Sequence, residues 1–207
     1  MLLKGISIGF LVGALGGPMV SLCIRRTLTL GALRGMAMGL GAGIADALYG
    51  IVGAFGLTSI ASFLLHYTSP LTLVGGATLC YLGIQGLRYN NADSNENNEA
   101  MPQKNQLLKS FSEGFFLTLA NPTTILFFGA VFTSTGLATD MVTYYSASLM
   151  VTGVFIGSLL WWFPLSLIVG YLRDKLNKKI VYKLHQVLSI VIIFFGIFAI
   201  IKGTSLL

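Results

Sequence analysis

One acid in this sequence stands where an acid is expensive. Asp46 is the twelfth residue of the 23-residue apolar run Gly35–Leu57, which places it near the middle of any span that run forms. At the centre of a bilayer a carboxylate costs at least ~2.5–3.5 kcal/mol, so it is kept against a cavity or a partner. Gly35, Gly39, Gly43, Asp46, Gly50 and Gly53 follow one another at steps of four, four, three, four and three, and so form one helical face. Small residues at that spacing let a second helix come close. The expectation is that Asp46 points into a bundle and not into lipid. A carboxyl group so placed either pairs with the ammonium of a bound solute or takes up and releases a proton. The bland alternative is a neutral structural acid bonded to a neighbouring helix; intramembrane acids favour the functional reading.

Two prolines carry the second signal. Pro18 follows Gly16-Gly17, and Pro122 follows Asn121. Proline removes a backbone donor and clashes with the turn before it, leaving carbonyls without helical partners. At membrane depth such carbonyls are tolerated only inside protein or beside a cavity. The amide of Asn121 adds donors and an acceptor at the same level. Two broken helices at matching places can offer helix ends and carbonyls to a zwitterion; two packing kinks are the plain alternative. Asp46, Pro18, Asn121 and Pro122 are therefore the candidate substrate or proton-coupling residues.

The elements that position them are membrane helices. The 207 residues are 55% hydrophobic and 10% charged, with a mean hydropathy of +0.81. A soluble domain carries about 25% charged residues, so a water-facing surface cannot be made from this inventory. Six apolar segments are read, Gly5–Ile24, Gly35–Leu57, Leu71–Leu87, Phe111–Thr133, Ser146–Leu172 and Val181–Ile201. Each is near the ~20 residues that cross ~30 Å of hydrocarbon. The fifth is long and holds Pro164, where tilt or a kink is expected. The fold class is all-α: a polytopic membrane bundle of six transmembrane helices. Of the 13 Lys and Arg residues, 11 fall in alternate loops, and only Lys4 and Lys202 lie on the other side, with His66 and Asp140. The crowded side is then cytoplasmic and both termini are outside.

Other chemistries are poorly supported. The basic residues sit in short clusters between apolar runs, so the charge of +6 does not point to nucleic acid. Lys4 precedes the first run and Arg25-Arg26 follow it, the flanks of a retained span and not of a signal peptide. Cys23 and Cys80 form no Cys-x-x-Cys pattern, and nothing pairs His66 with His185, so no disulfide or metal site follows. No Walker A sequence or dinucleotide fingerprint occurs, so ATP-driven pumping, an enzyme and a cofactor are not expected. Trp161 and Trp162 are read as packing as much as pathway, and Glu113 as a solvated residue.

The chain divides into a three-helix half at 1–87, a polar cytoplasmic linker at 88–109 and a second three-helix half at 110–207. Lys4, Ser7, Gly9 and Phe10 match Lys109, Ser112, Gly114 and Phe115 at an offset of 105. With an odd number of spans per half, the second copy is inverted, a transporter architecture with its site near the midplane. A first span broken at Gly17-Pro18, an acid in a glycine-rich second span and GFFLTLANPTTILFF from Gly114 to Phe128 resemble the LysE-type amino-acid exporter family. The resemblance covers the whole chain. It implies secondary active export of amino acids or closely related small metabolites, driven by an ion gradient, from a bacterial inner (plasma) membrane. It carries Pro18, Asp46, Asn121 and Pro122 over as site positions. Joined with the single titratable carboxyl, it gives proton-coupled antiport as the expected mechanism. An exporter of metal or other ions, and a non-transporting membrane component, remain the alternatives. The expected partners are an amino acid and the lipid bilayer, and the small-residue faces are compatible with a homodimer.

Overall fold

The computed structural model describes residues 1–55, 67–88, 103–121, 124–125, 127–128, 131 and 144–205. Its helices are α1 (Leu2–Ala14), α2 (Pro18–Leu30), α3 (Ala32–Ala54), α4 (Thr68–Leu87), α5 (Gln103–Leu119), α6 (Tyr144–Lys175) and α7 (Lys178–Ser205). The described residues are thus all-helical. Four helices (α3, α4, α6 and α7) are long and apolar enough to cross a membrane. The pair α1 and α2, bent by 73°, makes a fifth if it is one broken span.

The bend falls at the Gly-Gly-Pro sequence. Gly17, the N-cap of α2, takes φ +44°, a region L side chains avoid, and Pro18 opens the helix at its first position. Gly31, at φ +92°, turns α2 into α3. The stretch expected to be a linker differs at its end: residues 103–109 already form the first turns of α5. The chain runs helically through Pro164, which lies inside the 32-residue α6. Pro122, His66 and Asp140 lie outside the described residues, as does half of the expected fourth span beyond Leu119.

The glycine stripe of α3 packs on α6, antiparallel to it. A Cβ on Gly39 would strike Trp162, one on Gly43 would come 3.3 Å from Leu159, and one on Gly50 would rest 3.6 Å from Val154. Helix α1 lies along α6, α5 along α3, and α4 along α7. These contacts repeat. Gly9 is pressed against the Val154 carbonyl and Gly157 against that of Ile6; Gly114 is pressed against the Met38 carbonyl and Gly41 against that of Phe111. Raising the α1 positions by 105 and lowering the α6 positions by 116 turns the first two contacts into the second two. In the α4–α7 pair, Gly83 meets Ile193 and Gly203 meets Leu73, while Gly76 meets Ile200 and Gly196 meets Cys80. A shift of 120 exchanges the members of each of these couples. Two contacts are their own counterparts, Gly76 with Gly196 and Gly43 with Leu159.

Arginines tie the basic end together. Arg26 forms an ion pair with Glu113, joining α2 to α5. Arg34 donates to the Gln106 side chain at 2.7 Å, Arg25 to the Leu82 carbonyl at 2.7 Å and Arg173 to that of Thr29 at 3.3 Å. Glu113, read from sequence as merely solvated, is instead half-buried and paired. An acid near the start of an apolar run is legible, but the arginine that meets it comes from a distant element.

Candidate functional site

Asp46 sits where the glycine stripe aims it. Its side chain is 1% exposed, and Ser158 of α6 donates a hydrogen bond to Oδ2 at 2.7 Å. The other oxygen, Oδ1, has no hydrogen-bond donor among the described residues. A buried carboxylate oxygen without a donor is costly, so the site is set up for a proton or for a polar visitor. One turn on, Tyr49 donates to the Leu119 carbonyl at 2.6 Å and stacks on Phe128 at 5.3 Å. Tyr49 thus links the helix of the acid to the end of α5, two residues before Asn121.

Pro18 and Asn121, far apart in sequence, line one cavity of about 60 Å³. Four elements converge on it: the start of α2, the middle of α4, the end of α5 and the last turns of α7. Its walls are mainly apolar, with Met19, Leu79 and Phe195 among them, and its polar lining includes Asn121 and Lys202. Asp46 does not line this cavity. The sequence candidates therefore fall into two places, a cavity at the helix break and a buried acid on the α3–α6 seam. Trp162, 2% exposed, packs in the core between them with Met19 and Ala42, and its ring comes within 3.6 Å of where a Cβ on Gly16 would stand.

A larger opening lies beside the cavity. A cleft of about 650 Å³ runs between α4 and α5 and shares Gly75, Leu117 and Ala120 with it. At the far end the cleft is polar, bounded by Gln85, Asn105, Lys109 and Glu113. Ser158, Tyr49 and Lys202 are the residues that sequence reasoning did not select. Tyr49 stands three residues after Asp46 on the same face, a signal that was available. Ser158 and Lys202 are set against the site only by the packing of distant helices.

The chain is 29% identical over 200 residues to the "Putative amino acid efflux protein YcgF" of Bacillus subtilis, covering 95% of this chain and 93% of that one. It is 30% identical over 175 residues to the "Chemotactic transduction protein ChpE" of Pseudomonas aeruginosa, covering 83% of each. A third relative, the "Uncharacterized membrane protein YahN" of Escherichia coli, is 28% identical over 154 residues, 70% of this chain and 64% of that one. No solved structure matches the chain. The profile described as LysE type translocator matches residues 11–203, nearly the whole length, and the chain belongs to that family.

Proposed function

We propose that this protein exports amino acids or closely related small metabolites from the cytoplasm of a bacterium, using the proton gradient. The observation that carries the reading is the cavity at the α1–α2 break. It brings Pro18 and Asn121 together and shares lining residues with a cleft that reaches toward the basic face. A solute entering from the cytoplasm follows the cleft to the cavity. Family membership and the likeness to a protein named for amino acid efflux support the substrate class.

In this reading the bundle has six spans in two inverted halves, and α5 belongs to the fourth. The exchange of glycine contacts between halves supports it, because an inverted duplication brings equivalent pairs together twice. Asp46 acts as the proton-coupling group and not as the ammonium partner, since it stands off the cavity and keeps one oxygen without a donor. Proton exchange at Asp46 and solute binding at the break then alternate through the α3–α6 seam and the Tyr49 link to α5.

Efflux of labelled amino acids from proteoliposomes under an imposed proton gradient tests this, with wild type beside Asp46→Asn. Wild type should drive selective uphill efflux, and Asp46→Asn should lose the uphill component while keeping downhill exchange. Uphill export that survives the substitution removes Asp46 from coupling. No efflux from folded, reconstituted protein removes the exporter reading and favours a non-transporting membrane component.

A further inference from the structure

The cleft between α4 and α5 has a length, a lining and an opening that narrow its occupant. Helix α4 packs along α7 and α5 along α3, and the two leave a seam between them. The rims of the seam carry Val74 and Tyr81 on α4 and Leu108 and Phe116 on α5, each 62–65% exposed, so it opens sideways toward lipid. Behind them the wall is apolar, with Leu82 and Leu117 buried. Polar groups collect at the basic end, where Gln85, Asn105 and Lys109 stand. Ala120 lies 11 residues beyond Lys109 on one wall, and Val74 lies 11 before Gln85 on the other. At about 1.5 Å per residue each wall is roughly 16 Å long. Half of the ~30 Å hydrocarbon core, the share of one leaflet, is roughly 15 Å. Lys109 is exposed and has no ion pair among the described residues. Glu113, the one acid among the described lining residues, is half-buried and held by Arg26.

From this juxtaposition we propose that the cleft binds one anionic phospholipid of the leaflet on the basic side, its phosphate at Lys109 and one acyl chain between α4 and α5. The chain runs past Tyr81, Leu108 and Phe116 and ends at Gly75, Leu117 and Ala120, which the cleft shares with the cavity. Burial of hydrocarbon alone does not select this lipid, because the bilayer offers the same burial elsewhere. Selection comes from a seam one leaflet deep and from a lysine that favours an anionic head, an advantage of about fivefold for one basic residue near the surface. Gln85 and Asn105 add amide donors for the phosphate and glycerol oxygens. A free phosphate would use only this mouth and leave the apolar seam unfilled. The proposal does not depend on the export reading, since a protein that transports nothing can still hold the lipid.

Native mass spectrometry of the intact chain in detergent provides the test, with titration by dioleoyl phosphatidylglycerol, dioleoyl phosphatidylcholine or glycerol phosphate. The proteins are wild type, Lys109→Glu, Lys109→Arg, Thr78→Phe and Lys183→Glu. Thr78 is exposed on the α4 wall of the cleft, and Lys183 is exposed on α7 and does not line it. Each variant is first shown to be monodisperse, with a wild-type melting temperature before lipid is added; Lys109→Gln replaces Lys109→Glu if the reversal unfolds the protein. Wild type should bind one phosphatidylglycerol about fivefold more tightly than phosphatidylcholine and should not bind glycerol phosphate measurably. Lys109→Glu should erase the preference, and Lys109→Arg and Lys183→Glu should keep it. Thr78→Phe, which puts a ring in the seam, should weaken both lipids about tenfold or more. Equal binding of the two lipids by wild type overturns the proposal, as does a preference that survives Lys109→Glu or vanishes in Lys183→Glu. Wild-type binding by Thr78→Phe places the lipid elsewhere and overturns it too. Glycerol phosphate bound as tightly as the lipid shows a free-anion site in its place.

Discussion

Ser158 and Asp46 form a pair whose halves have unequal claims. The serine gives the carboxylate its one donor among the described residues, at 2.7 Å, inside a seam without exposure. Removing a hydrogen bond to a buried charged group costs roughly 1–3 kcal/mol. Ser158→Ala is therefore expected to lower uphill export about tenfold or more, with Ser158→Thr restoring most of it; efflux assays on both variants decide. Equal activity in Ser158→Ala and wild type means that the hydroxyl does not hold the carboxylate in the working cycle. The burial of Asp46 was legible in the sequence because glycine recurs on its face of α3. Its partner was not, since a serine on α6 looks like any small residue until α6 is laid antiparallel on α3. Lys202 was counted in the sequence for the side it lies on. Its place on the wall of a cavity depends on how α7 packs against α2 and α4, which no local pattern encodes.

Helix α1 and helix α5 are docked by the same device, a glycine pressed on a carbonyl of the neighbouring helix. Gly9 rests on Val154 and Gly114 on Met38, and in both a Cβ would overlap the carbonyl group. Overpacking a tight core costs typically about 1–3 kcal/mol, and backbone on both sides leaves little room to yield. Gly9→Val and Gly114→Val are each expected to lower the melting temperature in detergent, by similar amounts. A large loss in one and none in the other means the two contacts do not carry equal weight. The break between α1 and α2 was legible, because Gly-Gly-Pro demands it. The start of α5 was not. Residues 103–109 are too polar to look like a span, yet they continue its helix beyond the apolar run toward the basic end. The α6 helix likewise runs on through Pro164, where neighbours fix the backbone that proline alone loosens.

At the scale of the whole molecule, side chains tie the basic end of the bundle. The basic end has the Arg26–Glu113 pair and the Arg34–Gln106 bond, both holding α5 against the first half across the mouth of the cleft. Arg26→Glu and Glu113→Arg are each expected to lower uphill export, and the double reversal to recover most of it. Export rates for the three proteins decide: a double reversal as poor as either single one means the two charges act separately. The clustering of basic residues between alternate apolar runs was legible in the sequence. That these arginines also clasp specific partners was not, because the positive-inside pattern records only on which side they lie. The contacts that are their own counterparts, Gly43 with Leu159 and Gly76 with Gly196, have a different consequence. If the two halves trade conformations when the protein opens to the opposite side, each residue takes the place of its mate, and the separation within a mated pair is unchanged by the trade. Those two contacts then mark fixed points of the cycle, a fulcrum about which the clasped end swings, while Arg26 and Glu113, which are not mates, are free to part.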